Sequence, residues 1–373
     1  MTDLSWLLDR SLTIIRDNQA PTGAYLASPT FQPYRYSWLR DGAFIADAMS
    51  RMGDIASADA FFGWCARVVT DRRQHIEELI ERAATGERVG PDEHLHTRFT
   101  VDGDESVEPW WTFQLDGYGT WLWALDVHAR RHDRPLQPYV DAIELTVRYL
   151  ATFWDEPCYD WWEEHPDQRH TSTLAAIIAG LESVTDIDSL DSHLRETAST
   201  KAAAARSRIT EDGVRDGHLV KWLGADAVDA SLIACVVPFG LCAADEPVAK
   251  ATIAAVEEQL APAGVHRYLD DVYYGGGQWV LLAGFLGSCQ AEAGDLDRAA
   301  QLLDWIVAQA DADGQLPEQV ADRLLHPEHE TRWIERWGPS ARPLLWSHAM
   351  FLTLAHRLGH VAETAGAGQE VRS

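Results

Sequence analysis

The segment GQWVLLAGFLGSCQAEAGDLDRAAQLLDWIVAQA (residues 277–310) shows the pattern from which the architecture of this protein can be inferred. Two apolar stretches with helical character are joined by the short link EAGD (292–295), whereas long loops precede and follow the pair. A link this short makes the two helices antiparallel neighbours. Both flanking loops should therefore lie at the same end of the pair.

This alternation of short and long connections extends over the whole sequence. We predict twelve helices, with one continuous third helix that follows the break at Gly53-Asp54 and runs to about Ala84, and with Asp41 capping the second helix. Because every second connection is short, all six long loops should emerge at one end of the array. A closed ring of six inner and six outer helices would bring these loops to one pocket, which an open solenoid would not. We therefore expect an all-α toroid in which the even-numbered helices lie inside. The long loops are predicted at residues 21–41, 86–118, 154–171, 210–225, 262–277 and 311–345.

Charge and hydropathy exclude several classes of partner. The formal net charge of −27 argues against binding to nucleic acid or to an anionic membrane. No apolar run approaches the roughly 20 residues that a membrane span requires. The N-terminal segment mixes charged with apolar residues, which is typical of an amphipathic helix and not of a signal peptide. We expect one domain over residues 1–362 and a disordered tail over 363–373, and the oligomeric state stays open.

The cysteines indicate a reducing environment. They are five in number, widely spaced and without a CxxC pair. This usage favours free thiols and a cytoplasmic location. The cysteines are Cys65, Cys158, Cys235, Cys242 and Cys289.

Tryptophan is frequent and concentrated in the predicted long loops. The chain has 16 tryptophans, and many of them lie in these loops or at their edges. Core packing could explain any one of them, but their recurrence in nearly every converging loop indicates an aromatic pocket wall. Sugar rings stack against flat aromatic faces, so the pattern predicts a carbohydrate site with a small-molecule ligand. The loop tryptophans are Trp38, Trp110, Trp111, Trp154, Trp161, Trp162, Trp222, Trp333 and Trp337.

Two glutamates are candidates for acid–base catalysis. Glu163 directly follows Trp162, and desolvation by an indole ring makes a carboxyl group a better proton donor near neutral pH. Glu318 follows Pro317, which restrains the local backbone. The third and sixth loops, which carry them, should face each other across a six-fold ring. Opposed carboxylates about 6.5–9.5 Å apart, with a water between them, define an inverting glycosidase.

Five motifs together resemble glycoside hydrolase family 15, the glucoamylase-like exo-α-glucosidases. They occur in the order of that family and span most of the chain. The resemblance implies an (α/α)6 barrel that removes single glucose units from the non-reducing ends of α-glucosides. The motifs are YRYSWLRD (34–41), DWWEE (160–164), RYLDDVYY (267–274), PEQ (317–319) and PLLWSHA (343–349).

The resemblance assigns catalytic roles to individual residues. Glu163 is similar to the general acid of the family, and Glu318 is similar to the general base. Tyr34 matches the tyrosine beside the catalytic water, and Tyr273 matches the tyrosine that holds it in place. No metal or other cofactor is implied.

It also implies a set of sugar-binding residues. Arg40 and Asp41 match the pair that binds the terminal glucose, and Glu164 would contact the leaving-group side. Either Trp110 or Trp111 matches the tryptophan that packs near the acid. The other implied sugar-binding residues are Trp38, Trp162, Arg267, Tyr273, Trp279 and Trp346.

The substrate is expected to be short. Many bacterial members of the family carry an N-terminal β-sandwich, and fungal members often carry a starch-binding module, whereas this sequence shows neither. We therefore expect an inverting hydrolase of isomaltose or related α-1,6 oligosaccharides that releases β-glucose. Maltooligosaccharides and trehalose, which other members use, remain alternatives.

Two other toroidal functions are more remote. A sugar 2-epimerase would rely on paired histidines in the pocket, for which His94 with His96 and His326 with His329 are the candidates. The second pair, in HPEHE, also resembles a metal site. We expect both pairs to be solvated loop residues, because neither has the helical spacing of metal-binding histidines. A non-catalytic sugar-binding toroid would have no reason to keep both glutamates.

Overall fold

Helices dominate the computed structural model, which describes residues 3–361; residues 1–2 and 362–373, including the predicted tail, lie outside the described residues. Within the described range there are fourteen α-helices and six two-residue strands. No helix in this range is both long and apolar enough to span a membrane. The helices are α1 (Leu4–Asp17), α2 (Leu39–Arg51), α3 (Ile55–Thr70), α4 (Arg73–Ala84), α5 (Asp116–His132), α6 (Val140–Phe153), α7 (Thr171–Ser183), α8 (Ser192–Asp212), α9 (Leu232–Val236), α10 (Pro247–Leu260), α11 (Val280–Glu292), α12 (Leu296–Ala308), α13 (Glu330–Trp337) and α14 (Leu345–Arg357).

Six of these helices form a closed inner ring. In order around the ring, α2 contacts α5, then come α7, α9, α11 and α14, and α14 contacts α2 again. The outer helices are α1, α3, α6, α8, α10 and α12, each packed on inner neighbours or on the next outer helix. The inner helix α2 is buried from Leu39 to Ser50, whereas the outer helix α8 buries only Ala198, Ala202, Ala205 and Ile209. The predicted (α/α)6 barrel with the even-numbered predicted helices inside is confirmed.

Small residues allow two inner helices to approach backbone to backbone. A Cβ atom added to Gly119 on α5 would lie 2.3 Å from the carbonyl oxygen of Ala176 on α7. One added to Gly180 on α7 would lie 2.5 Å from the carbonyl oxygen of Gly119. Both glycines are therefore required by packing between α5 and α7, since a side chain would have to push the two backbones apart.

The helix count differs from the predicted twelve for two reasons. The predicted third helix is interrupted between α3 and α4, where the guanidinium of Arg72 donates to the carbonyl oxygens of Val68 and Gly103, both at 2.9 Å. The additional helix α13 lies inside the sixth long loop. Apolar periodicity continues across residues 71–72, where Arg72 makes a tertiary contact that periodicity does not report.

The prediction that Asp41 caps the second helix is wrong. Helix α2 begins at Leu39, its cap position is Trp38, and Asp41 lies within its first turn. Trp38 belongs to strand β1 (Ser37–Trp38), which pairs with β2 (Arg98–Phe99). This pairing brings the chain into the helix earlier than the sequence pattern indicates.

Short strand pairs tie the long loops together where inner helices begin. Besides β1 and β2, strand β5 (Gln278–Trp279) pairs with β6 (Gln319–Val320) directly before α11. Strands β3 (Val214–Arg215) and β4 (His218–Leu219) form a hairpin in the fourth loop. On the barrel axis, Phe44 packs against Trp161 and stacks on Trp346, with ring centroids 5.8 and 5.2 Å away. Trp161 and Trp346 of this aromatic cluster also line the pocket described next.

Candidate active site

One pocket at the long-loop end of the barrel contains every residue to which the family resemblance assigned a role, whereas the loop tryptophans Trp154 and Trp222 do not line it. Its empty volume, including space that is open to solvent, is about 990 Å³. Its walls come from five of the six long loops, all but the fourth, and from the first turns of inner helices. The predicted residues that line it are Tyr34, Trp38, Arg40, Asp41, Trp110, Trp111, Trp162, Glu163, Glu164, Arg267, Tyr273, Trp279, Glu318 and Trp346.

A tight turn built on Asp160 presents two adjacent glutamates to the pocket. Asp160 Oδ1 accepts hydrogen bonds from the backbone N–H groups of Trp162 and Glu164, both at 2.9 Å. The N–H group of Glu163 bonds to the Asp160 carbonyl oxygen at 3.0 Å. These bonds hold Glu163 at a φ of +64°, a conformation that few non-glycine residues adopt. As a result, the Glu163 and Glu164 side chains contact different loops.

Three donors converge on one oxygen of Glu163. Its Oε1 accepts from the indole N–H groups of Trp38 at 3.0 Å and Trp110 at 2.8 Å, and from the Gln114 amide at 3.2 Å. Within residues 3–361, Oε2 has no hydrogen-bond partner, so this oxygen is the one that can carry a proton toward a ligand. Of the two adjacent tryptophans, Trp110 bonds to Glu163, whereas Trp111 is 43% exposed.

Glu318 is held in a deeply buried position. Its side chain is 1% exposed, Tyr34 donates to Oε1 at 2.8 Å, and Ser340 donates to Oε2 at 3.1 Å. Burial raises the pKa of Glu318 from 4.5 to about 7, while the two donors act in the opposite direction. A carboxylate with a raised pKa is a stronger base toward water once it is ionised.

The burial of the two glutamates differs from what the sequence suggested. Glu163, expected to be desolvated by Trp162, is only half-buried, and Glu318 is the more buried carboxyl group. The Trp162 indole N–H instead donates to both carboxylate oxygens of Asp229, at 3.0 and 3.1 Å. The indole N–H of the sequence neighbour Trp162 therefore does not contact Glu163.

The first long loop contacts both glutamates. Tyr34 bonds to Glu318, and Trp38, four residues later, bonds to Glu163, with the two aromatic rings 5.7 Å apart edge to face. The hydroxyl groups of Tyr34 and Tyr273 lie 3.2 Å apart. Burial together with the charge of Glu318 raises the pKa of both tyrosines, so both remain protonated and able to donate.

A buried ion cluster lies beside Glu163. Arg40 Nη1 donates to Gln114 at 2.7 Å and to Asp116 at 3.0 Å, and Arg40 Nε lies 3.4 Å from Asp41 Oδ2. Burial raises the pKa of Asp41 to about 6, although Arg40 favours its ionised form. Arg40 Nε and Asp41 Oδ2 are buried without a hydrogen-bond partner in the described chain. Both residues line the pocket, so these two charged side chains border the space open to a ligand.

A second cation lies on the side of the pocket that holds Glu164. Arg267 makes a bidentate pair with Asp271 and lies 3.6 Å from Glu164 Oε1. The hydroxyl group of Tyr268 donates to Glu164 Oε2. Glu164 is thus fixed by loop five, whereas Glu163 is fixed by loops one and two. The Arg267 guanidinium also lies between 5.2 and 5.3 Å from the ring centroids of Trp162, Tyr273 and Trp279.

The site also contains residues outside the five motifs: Ser340, which the sequence analysis did not single out, and two of the predicted loop tryptophans. Ser340, the second donor to Glu318, lies in a loop without a motif. Trp333 and Trp337 line the pocket from α13, and the Trp333 ring packs edge to face on Tyr273 at 4.9 Å. The amphipathic segment ETRWIERW (330–337) is the one signal that could have revealed α13.

Neither histidine pair lies in the pocket. The expectation that His94 is solvated is wrong: it is 3% exposed, its ring stacks on Phe113 at 3.7 Å, and Nδ1 lies 3.0 Å from the Tyr149 hydroxyl group. His326 contacts the carbonyl oxygen of Leu269 at the surface. Over residues 3–361, no group of three or more His, Cys, Asp or Glu side chains is arranged to hold a metal ion.

Similar proteins are found by sequence and by structure. The chain is 51% identical to the isomaltose glucohydrolase of Kribbella flavida over 95% of this chain and 92% of that protein. It is 27% identical to the trehalase of Mycolicibacterium smegmatis, over 86% of this chain and 52% of that protein. The structure matches a glycosidase solved in complex with glucose, with a TM-score of 0.94, 49% identity and coverage of 96% and 98% of the two chains.

The family assignment follows from the match over the whole barrel. The family model described as glycosyl hydrolases family 15 matches residues 6–356, which include all five motifs and both glutamates. The resemblance inferred from the motifs is therefore confirmed, and so is the expectation of a glycoside hydrolase. This chain belongs to glycoside hydrolase family 15.

Proposed function

We propose that this enzyme is an inverting exo-α-glucosidase in which Glu163 is the general acid and Glu318 the general base. The observation that carries the proposal is that both glutamates line the same pocket. Each accepts a different set of hydrogen bonds, and each set suits a different catalytic role. The three donors on Glu163 Oε1 leave Oε2 to protonate the glycosidic oxygen. Tyr34 and Ser340 hold Glu318 where a carboxylate can accept a proton from water.

The reaction then proceeds by a single displacement. Glu163 Oε2 gives its proton to the glycosidic oxygen as the bond between that oxygen and C1 breaks. Water attacks C1 from the opposite face, and Glu318 takes the proton that this water loses. An α-linked substrate therefore yields β-glucose.

The shape of the pocket supports exo-action. Trp161 and Trp346, which line it, pack on the buried Phe44 on the barrel axis, so a glucan chain cannot pass through the barrel. Arg40 and Asp41 line the pocket, where their charged side chains are available for hydroxyl groups of a terminal glucose. Charge-assisted hydrogen bonds of this kind are stronger than those between neutral groups.

Isomaltose is the substrate we propose. The support is the 51% identity to an isomaltose glucohydrolase over nearly the whole length of both proteins. Trehalose is the second candidate, because a trehalase is among the relatives, although its identity is lower and this chain spans about half of its length.

The test is glucose release from isomaltose, maltose, trehalose and a dextrin under identical conditions. Isomaltose should give the highest kcat/KM, and proton NMR in the first minutes should show β-glucose before mutarotation. Early α-glucose would contradict inversion, and a higher kcat/KM on trehalose would replace isomaltose by the second candidate. Loss of activity in both Glu163→Gln and Glu318→Gln, by about 10²–10⁴-fold, would support the two roles.

We also infer a reducing compartment such as the cytoplasm. All five cysteines are free thiols, and four of them are buried. A protein that folds with this many unpaired thiols is more typical of a reducing environment.

A further inference from the structure

A lysine is buried next to the turn that carries Glu163. Lys221, in the fourth long loop, has a side chain that is 4% exposed, and its Nζ lies 3.1 Å from Asp229 and 4.0 Å from Asp160. The same Nζ lies 3.2 Å from the centroid of the Tyr268 ring. Burial of an ammonium group costs several kcal/mol, which only close and well-oriented partners offset. Because this burial is unfavourable, we expect the Lys221 ammonium group to have a specific role that its contacts indicate.

Each partner of Lys221 leads to the acid-bearing turn. Asp160 accepts the backbone N–H groups that close the turn. Asp229 accepts the indole N–H of Trp162, the residue directly before Glu163. Tyr268, under the ammonium group, donates to Glu164, the residue directly after Glu163. The Lys221 ammonium group is therefore linked to the turn at three points: through Asp160 itself, through Asp229 to Trp162, and through Tyr268 to Glu164.

The backbone of Lys221 is anchored to the barrel wall. Its N–H group donates to the carbonyl oxygen of Ala227 at 2.8 Å. Its carbonyl oxygen accepts the N–H group of Thr171, the first residue of the inner helix α7, at 3.1 Å. The ammonium group is thus a fixed point against which the turn can be held. Lys221 does not line the pocket and would not contact substrate.

We propose that Lys221 is a positioning residue that holds Glu163 Oε2 in line with the glycosidic oxygen. The inference rests on the proposed function, in which Glu163 is the general acid. Without the cation, Asp160 and Asp229 would be two buried carboxylates with no opposing charge, and one of them would reorient or take up a proton. The turn would then shift, and a displacement of about 1 Å at a catalytic group can reduce the rate by about 10²-fold.

A comparison of two substrates can distinguish a misplaced general acid from a loss of activity caused by a disturbed active site as a whole. Isomaltose requires protonation of the glycosidic oxygen, whereas in α-glucosyl fluoride the C1–F bond breaks with fluoride taking the electron pair. Both need the water that Glu318 activates. We expect Lys221→Met to lower kcat on isomaltose by about 10²-fold and to keep most of the rate on α-glucosyl fluoride. Equal losses on both substrates, or no loss on isomaltose, would overturn the proposal.

Three further variants complete the experiment. Lys250→Met, at an exposed site on α10, is the matched control and should change neither rate. Glu163→Gln should discriminate between the substrates at least as strongly as Lys221→Met; if it does not, the assignment of the acid fails and not merely the role of Lys221. Should Lys221→Met not fold, Asp229→Asn keeps the side-chain size but removes the charge between Lys221 and the Trp162 indole, at a residue that does not line the pocket. It should show the same preferential loss on isomaltose, and equal rates or equal losses on the two substrates would refute the inference.

Discussion

Removal of the Ser340 hydroxyl group should shift the pH dependence of the enzyme in a defined direction. Ser340 donates to Glu318 Oε2 at 3.1 Å and thereby favours the ionised carboxylate, although burial outweighs this donor and the net pKa is about 7. A hydrogen bond to a charged group contributes about 1.5–3 kcal/mol, and 1.36 kcal/mol corresponds to about one pKa unit. Ser340 is partly exposed, so water can replace part of the donor. We therefore expect Ser340→Ala to raise the pKa of Glu318 by about one unit.

The acidic limb of kcat/KM against pH reports this change. Glu318 acts as a base only when ionised, so the limb should move to higher pH, while the rate at the alkaline plateau should change little. Profiles on isomaltose for wild type, Ser340→Ala and the control Ser183→Ala, at the far end of α7, would measure it. An acidic limb that stays in place or moves to lower pH would refute the role of Ser340 and would question Glu318 as the base.

The remaining predictions concern stability and binding. In the folded protein the pKa of Glu318 is about 7, above its ordinary value of 4.5. The stabilisation that comes from the protonated group is therefore fully present below pH 4.5 and is lost as the pH rises through 7. Glu318→Gln should therefore raise Tm relative to wild type more at pH 8 than at pH 5; a pH-independent difference would contradict the raised pKa. Asp41→Ala should lower kcat/KM on isomaltose by about 10-fold or more, since it removes a charged partner of the terminal glucose. If Asp41→Ala changes only Tm, Asp41 has a structural role and does not bind substrate. Gly180→Ala should destabilise the fold by about 1–3 kcal/mol through overpacking against Gly119, measured by denaturant unfolding, and an unchanged midpoint would show that α5 and α7 can separate freely.

Periodicity and connection length were sufficient to predict the ring. An apolar stripe reports which face of a helix is buried, and a short link such as 292–295 forces antiparallel neighbours, so both signals are local in sequence. The same signals did not reveal the break between α3 and α4, where Arg72 reaches the carbonyl oxygen of Gly103 in the second long loop. They also did not reveal α13, which is short and lies within a loop.

Side-chain chemistry in the motifs was sufficient to identify which residues line the pocket. Carboxylates, arginines and tryptophans in converging loops face the same space once the ring closes, so Glu163, Glu318 and Arg40 could be found by type and position. The environment of each group could not be found in this way. Burial, and with it the pKa of Glu318, depends on atoms from several distant segments, including Tyr34 and Ser340.

The amino-acid sequence alone carried the architecture and the identity of the candidate catalytic pair, because helix period, loop length and residue type are properties of short segments. The orientation of that pair came from contacts between segments far apart in the chain. Trp110 and not Trp111 donates to Glu163, and the indole of Trp162 turns away to Asp229. A buried Lys221 supports the turn from a loop that the motifs do not include. Such contacts arise only when the ring closes, since distances between distant segments follow from the packing of all the helices together.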